Sequence, residues 1–426
     1  MKPAKFKMTE LGPIPEDWEV KRLGEMIEDG KASLQTGPFG TVLSASEFTE
    51  SGHPVISVRE IRNGYIQLFD ETPCVSDETY RRLGKYTLTP NDLVFARKGS
   101  VDRSALIPDD GIAYFLGSDG ICIHFNIRDI CPLFVLYYFQ AETARTYLVN
   151  HSYGTTMAGL NEGVMRNLLL PLPPLPEQRR IAGALSDVDE LISALGKLIE
   201  KKRNIKTGTM QQLLTGKRRL PGFGGKWEEK RLGEMGKFSK GAGISKEQSN
   251  SGSLPAVRYG ELYTTHHDYI KHFESFISED VAKCATLLHE GDIVFACSGE
   301  TKEEIGKCAA YLGKKVAYAG GDLIIFTPTA EYDSLFLGFE LNTPFCAQQK
   351  AAAGQGDAVV HIRQESIAAI TVFVPPTLPE QRAIAAVLSD MDAEIAALEA
   401  EQAKYVRIKS GMMQELLTGK TRLKGE

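Results

Sequence analysis

No stretch of this chain approaches the ~20 consecutive apolar residues that a bilayer span needs, and no two cysteines are spaced Cys-x-x-Cys. The first absence excludes a transmembrane helix. The seven cysteines (74, 122, 131, 284, 297, 308 and 346) are scattered and odd in number. They read as reduced, mostly buried small side chains, not as disulfides or a zinc site. The opening MKPAKFKMTELGP lacks the apolar centre of a signal peptide, so a cytoplasmic location is expected. There is no excess of positive charge. The net charge of −6 argues against a free-standing nucleic-acid binder.

Catalytic signatures are missing as well. TGKT (418–421) looks like half of a P-loop, but Gln414 stands where the first glycine of that loop belongs. The Pro-Pro pairs, Pro173–Pro174 and Pro375–Pro376, lie in helix lead-ins, not in the N/D-P-P-aromatic loop that an adenine methyltransferase requires. No glycine-rich cofactor loop follows a strand, and no carboxylate-plus-lysine nuclease site stands out. His266–His267 has no companion ligands at metal-binding spacing and reads as a surface pair. No enzyme activity, cofactor or metal is expected of this chain.

What is present is repetition. LPEQRRIAGALSD (175–187) returns as LPEQRAIAAVLSD (378–390), and LLTGKRRL (213–220) as LLTGKTRL (416–423). From Leu175 to Leu220, 27 of 46 positions match the residue 203 further on, without a gap. DWEVKRLGEM (17–26) recurs as KWEEKRLGEM (226–235), and NDLVFARKGS (91–100) as GDIVFACSGE (291–300). These are the marks of an internal duplication. The offsets differ, so loops of unequal length have entered a shared scaffold, and between the anchors the copies have diverged heavily.

The repeated helix has a physical reading. PLPPLPEQ (171–178) is extended, because each proline biases its predecessor away from the helical region. Pro176 suits a first helical position, and Glu177 suits the first turn, where the helix dipole favours negative charge. Ile181, Leu185, Val188, Ile192, Leu195 and Ile199 then alternate in steps of four and three. The second copy gives Ile384, Leu388, Met391, Ile395 and Leu398, followed by Gln402, Tyr405, Ile408, Met412 and Leu416. This 3.5-residue repeat predicts a coiled-coil seam in helices of about 40 residues, roughly 60 Å long. Gly208 and Gly411 fall at matching places inside these helices. Either a close helix approach or a small kink would account for both. Two copies of one unit pack most simply about a pseudo-two-fold axis, which makes the helices antiparallel and puts the globular parts at opposite ends of a rod.

The globular parts read as mixed α/β. HPVISVREI (53–61), DLVFAR (92–97), ICIHFNI (121–127), DIVFAC (292–297) and DLIIFT (322–327) look like strands between glycine-rich turns. LFVLYYFQAETARTYL (133–148) and SLFLGFELNTPFCAQQK (334–350) look like one amphipathic helix per domain. A polar, glycine-bearing segment follows each, HSYGTTMAGL (151–160) and AAAGQGDAVVHI (351–362). Loops of this kind on a rigid scaffold are where recognition usually lies.

Taken together, W-E-x-K-R-L-G-E-M, D-[LI]-V-F-A, P-x-L-P-E-Q-R and Q-x-L-L-T-G-K, each present twice, resemble the DNA specificity (S) subunit of type I restriction–modification systems. The resemblance covers nearly the whole chain. It implies an α+β fold with two target-recognition domains (1–172 and 218–375) and two conserved helices (173–217 and 376–426) forming an antiparallel coiled coil. It also implies that each domain reads half of a bipartite double-stranded DNA site. The helices would set the spacer and dock two methyltransferase subunits, and through them the restriction subunits. The assembled complex would be an adenine-N6 methyltransferase and ATP-dependent endonuclease, with this chain non-catalytic. Such a chain need not supply all the neutralising charge itself, which meets the objection of its acidity.

Candidate DNA contacts are then local. In the first domain they are Thr36, Arg59, Arg62, Asn63, Arg97, Lys98, Arg103, Tyr153, Thr155 and Thr156. In the second they are Lys240, Lys246, Arg258, Tyr259, His266, Ser298, Lys302, Gln355 and His361. Loop arginine and asparagine can make bidentate contacts to guanine and adenine edges, although any one of these residues taken alone reads first as solvated surface. Tyr65, Tyr153 and Tyr259 could stack on bases, but buried aromatics are the commoner case. KKRNIK (201–206) reads as a solvated helix face. Helix entry does not explain Gln178, Arg179, Gln381 and Arg382, which are expected to make partner or interdomain contacts. A coiled-coil scaffold without DNA would leave the divergent loops unexplained, and an enzyme reading lacks a visible site.

Overall fold

The structure is a computed structural model that describes residues 5–153, 159–356 and 359–424. It divides into two compact units, Met1–Gly196 with Ala400–Glu426, and Lys197–Glu399. The architecture is α+β, with one scaffold built twice.

In the first unit an antiparallel sheet runs in the order Ser104–Leu106, Leu93–Ala96, Gly120–Phe125, Ala32–Thr36. In the second, Cys308–Ala310, Ile293–Ala296, Leu323–Pro328 and Gly236–Lys240 repeat that order, with Asp268–Tyr269 added at the Cys308–Ala310 edge. The repeated D-[LI]-V-F-A word is the central strand, fully buried over Leu93–Ala96 and Ile293–Ala296. A second sheet in each unit holds one parallel pair, Val55–Ile56 with Phe115–Leu116 and Ala256–Val257 with Tyr318–Ala319. The repeated W-E-x-K-R word is a strand too. Glu19–Arg22 pairs with Leu169–Leu172, and Glu228–Arg231 with Thr371–Val374, just ahead of each long helix.

Where one amphipathic helix per domain is expected, each unit has two. Pro132–Gln140 breaks at the extended Ala141 before Glu142–Asn150, and Ser334–Leu341 breaks before Pro344–Ala353. Pro344 cannot continue a helix interior, which accounts for the second break. The leading pieces are buried all round, from Phe134 to Phe139 and from Phe336 to Leu341, so neither is amphipathic.

The long helices span Leu175–Leu213 and Leu378–Leu416. Within each unit they run antiparallel. Asp189 meets Lys409 at 2.7 Å in the first, while Lys202 meets Glu394 at 2.6 Å and Lys206 meets Asp392 at 2.8 Å in the second. Of the seam, Ile181, Leu185, Leu195, Ile199, Ile384, Leu388, Ile395 and Leu416 are buried. Val188, Ile192, Met391, Leu398, Gln402, Tyr405 and Met412 are half-buried and Ile408 is exposed, as expected where only two helices cover one another.

Helix ends are built into the domain cores. Ile181, Leu185, Leu416 and Leu417 join the first core with Trp18, Phe95 and Phe134. Ile384, Leu388, Leu213 and Leu214 join the second with Phe295 and Phe336. Gly208 and Gly411 are not points of close approach, since a Cβ at either would meet nothing within 4 Å.

Candidate nucleic-acid interface

The repeated P-E-Q-R word fastens each long helix to its unit. Gln178 is buried; its Oε1 accepts from the Cys131 backbone N–H at 2.9 Å and its Nε2 donates to the Pro173 carbonyl at 2.8 Å. Gln381 does the same, accepting from Asp333 N–H at 2.8 Å and donating to Pro375 at 3.3 Å. Cys131 and Asp333 are the residues that open the two buried domain helices. Both glutamines, expected to make partner or interdomain contacts, are enclosed in their own unit, where each bonds its helical segment to the domain before it. Arg179 and Arg382 remain exposed; Arg179 reaches the Ile127 carbonyl at 3.4 Å and Arg382 stands 3.8 Å from Asp333.

The glutamate of that word is held from just past the end of the other helix. Glu177 pairs with Arg422 and also accepts from Trp18 Nε1. Glu380 pairs with Arg219, whose guanidinium lies 5.9 Å from the centre of the Trp227 ring. Arg422 packs likewise over Trp18, 5.5 Å from the ring centre. Dipole complementarity alone did not require these partners. The signal was present, because both arginines belong to the repeated L-L-T-G-K-x-R-L. The glycines of that word, Gly216 at φ +66° and Gly419 at φ +70°, stop the helices in the left-handed conformation that glycine accepts most readily.

Above this fastening, the strand ends and loops form the exposed surface. In the first unit, Lys98 bridges Gly159, and Gly159 exchanges backbone hydrogen bonds with Tyr153 at 2.8 and 2.9 Å. The three residues make one transverse row across three chain segments. Lys98 is ion-paired with Asp119 at 2.8 Å, and Tyr153 is 45% exposed. Beside the row, the Arg97 guanidinium lies 4.9 Å from the ring centre of Phe39, which is itself 57% exposed. Thr36 ends the neighbouring strand, opposite Ile121. Arg103 stands across from Ala96.

Arg59, Arg62 and Asn63 form a separate patch. Arg59 and Arg62 pack over Phe69, with Arg59 also paired to Glu71 at 2.8 Å and Arg62 bonded to Gln67 at 2.9 Å, while Asn63 is exposed at the turn. Thr155 and Thr156 lie outside the described residues.

The second unit repeats the row with different side chains. Ser298 pairs with His361, and His361 exchanges backbone bonds with Gln355 at 2.8 and 2.9 Å. Ser298 Oγ lies 3.0 Å from His361 Nδ1. Ser298 is buried, whereas His361 and Gln355 are exposed. Lys246, Arg258 and Tyr259 line a cleft of about 440 Å³ with Gly243 and Asp322. Lys240 is exposed at a strand end, and Lys302 is exposed in the loop before Cys308.

His266 is a correction. It is 2% exposed and its Nε2 lies 3.3 Å from Glu261, in a buried group that includes Ser275. A polar pair in sequence reads as surface, but its first member turns inward to serve a buried carboxylate. No group of three or more His, Cys, Asp or Glu able to hold a metal occurs among the described residues, and none of the described helices is long and apolar enough to cross a membrane.

A scaffold repeated with its fastenings intact, carrying different exposed side chains at one place in each copy, defines a duplicated recognition protein. The chain belongs to the type I restriction modification DNA specificity domain family, whose domain matches residues 15–204 and again 224–406. It is 25% identical to the type I restriction enzyme MjaVIII specificity subunit of Methanocaldococcus jannaschii, over 96% of this chain and 94% of that one. Among solved structures its fold is similar to the S subunit of a type I restriction–modification system from M. genitalium, with TM-score 0.60, 15% identity and 97% and 98% of the two chains covered. It is also similar to a chain from a study of complex assembly and conformational transition in a type I R-M system, with TM-score 0.57, 18% identity and 96% and 99% covered.

Proposed function

We propose that this chain is the DNA-recognition subunit of a type I restriction–modification complex, with no catalytic site of its own. Residues 1–172 and 218–375 each read one half of a bipartite duplex. The helical segments 173–217 and 376–426 set the unspecified gap and dock two methyltransferase subunits in the cytoplasm. Through those subunits the restriction subunits join, giving an adenine-N6 methyltransferase and ATP-dependent endonuclease. One observation carries this reading. The Glu–Arg and Gln fastenings are the same in both units, while the rows Lys98–Gly159–Tyr153 and Ser298–His361–Gln355 share no residue. A fixed support with a variable reader is what two unlike half-sites require.

The test is methylation mapping in cells that carry this chain with methyltransferase subunits. A bipartite methylated sequence is expected. Matched four-residue insertions in both helices, which lengthen each by about 6 Å, should leave both half-sites unchanged and widen the gap by about one or two base pairs. Active insertion mutants that keep the original gap would remove the helices from the spacing role. Methyl transfer, ATP hydrolysis or DNA cleavage by the pure chain would remove the non-catalytic assignment.

A further inference from the structure

We infer that the transverse row at the strand ends is the base-reading element of each unit, and that in the second unit His361 and Gln355 are its reading side chains, with Ser298 as the residue that aims His361. This deepens the proposed function and rests on it.

The argument begins with register. Residues directly opposite one another in antiparallel pairing carry their side chains on the same face. Ser298 faces His361 on one side and Gln355 faces His361 on the other, so all three side chains share one face. The backbone beneath them is fixed. His361 both donates to and accepts from Gln355, and the next residue, Ile362, donates to the Cys297 carbonyl at 3.0 Å. The Ser298 carbonyl is occupied by the Tyr263 hydroxyl at 2.9 Å. Ser298 itself is buried, so its hydroxyl holds His361 Nδ1 from a fixed position while His361 stays exposed.

A reader of base edges needs this combination. A polar group free at the surface must be held in one orientation by groups that are not free, because discrimination between donor and acceptor patterns depends on angle. Gln355 adds a carboxamide, the type of group that pairs bidentately with adenine, on the same face. By contrast, among the described residues, Lys246, Arg258 and Lys302 have no such fixed neighbour on the row. Long cations of that kind position a duplex through its phosphates.

The first unit supports the assignment from the other direction. Its central residue is Gly159, where an added Cβ would come within 2.9 Å of the Tyr153 ring. The glycine therefore lets the ring of the exposed tyrosine lie over the centre of the row. One position in the scaffold is thus filled by a large polar ring in one unit and vacated for a neighbour's ring in the other. Packing of the core, which is alike in both, does not demand that difference.

The experiment uses the full chain with methyltransferase subunits and reads both the methylated sites and binding to duplexes carrying single base-pair changes. His361→Ala is expected to relax one position of one half-site, with discrimination there falling about tenfold, and to leave the other half-site and the gap untouched. Gln355→Ala should relax a neighbouring position of the same half-site. Ser298→Ala should reproduce the His361 effect in weaker form, and Ser298→Thr, which keeps the hydroxyl, should restore it. Lys302→Ala should weaken binding to all sequences alike and reduce its salt dependence. Gly159→Ala should alter only the opposite half-site. If His361→Ala and Gln355→Ala both bind and methylate the unchanged sequence, the row is not the reader, while a bipartite site for the unaltered chain still upholds the proposed function. If the unaltered chain yields no bipartite site, that function falls and the row assignment falls with it.

Discussion

Glu177 and Arg422, 245 residues apart in sequence, meet in a two-bonded ion pair, 2.7 Å from Nε to Oε1 and 2.6 Å from Nη2 to Oε2. Glu380 and Arg219 repeat it at 2.5 and 2.6 Å. In each pair one partner comes from the first turn of a long helix and the other from just past the end of its companion. Arg422 also pairs with Asp17, holding that carboxyl well below the usual carboxylate range.

Removing the cation leaves a buried carboxylate uncompensated. Arg422→Ala and Arg219→Ala are each expected to cost about 3–5 kcal/mol, because Glu177 is 2% exposed and Glu380 is fully buried. Denaturant melts of the single variants measure this. A loss below about 1 kcal/mol would show that these pairs behave like surface pairs.

The helix glycines should separate into two kinds. Gly208 and Gly411 have open space around them, so alanine there should raise stability by about 1 kcal/mol per site. Gly419 sits at φ +70°, and a Cβ there would collide with Pro15 and stand 3.2 Å from Trp18, so Gly419→Ala should destabilise. Thermal melts of the three variants give the signs directly. A fall in melting temperature for Gly208→Ala would contradict the open surroundings.

Charge in the seam should act where the seam is also core. Leu185 and Leu388 are fully buried among the residues of their own units. Aspartate at either position should destabilise by several kcal/mol. Chemical denaturation, compared with a Ile408→Asp control on the exposed stretch, measures the contrast.

Glu340 gives a pH signature. It is buried, one carboxyl oxygen has no hydrogen-bond partner among the described residues, and burial raises its pKa well above the ordinary value. A raised folded-state pKa means that the folded chain binds the proton more tightly than the unfolded one. The resulting stability is present below the unfolded value of about 4.3 and is lost as pH rises toward the folded value. Glu340→Gln should match the parent protein near pH 4 and exceed it at pH 8. Parallel melts at the two pH values test this, and an equal difference at both would exclude the titration.

The duplication, the long helices and the central strands were legible because each rests on a local pattern: a repeated word, a 3.5-residue period or a short apolar run. The role of Gln178 was not. Its carboxamide caps Cys131, 47 residues upstream, and nothing in the spacing says which backbone N–H a buried glutamine will meet. Arg219 and Arg422 were visible as repeated letters, but their partners depend on how two distant helix ends meet. The rows were hidden for a similar reason. Lys98, Tyr153, Ser298, Gln355 and His361 stand out as polar loop residues, yet only strand register puts them side by side. In the domain helices Ala141 and Pro344 divide what reads as continuous, and at Pro344 the cause is local, a proline that cannot continue a helix interior.

The glutamine fastening has a consequence for inheritance. It is made to backbone groups, the Cys131 and Asp333 amides and the Pro173 and Pro375 carbonyls, so it takes no account of which side chains the domain displays. A gene segment encoding an unrelated reading surface could replace either half in one crossover. If it kept the lead-in prolines and the opening of the buried helix, the new half would find its attachment waiting. A lineage could then change what it recognises in one genetic event, where point mutation would have to rebuild support and reader together.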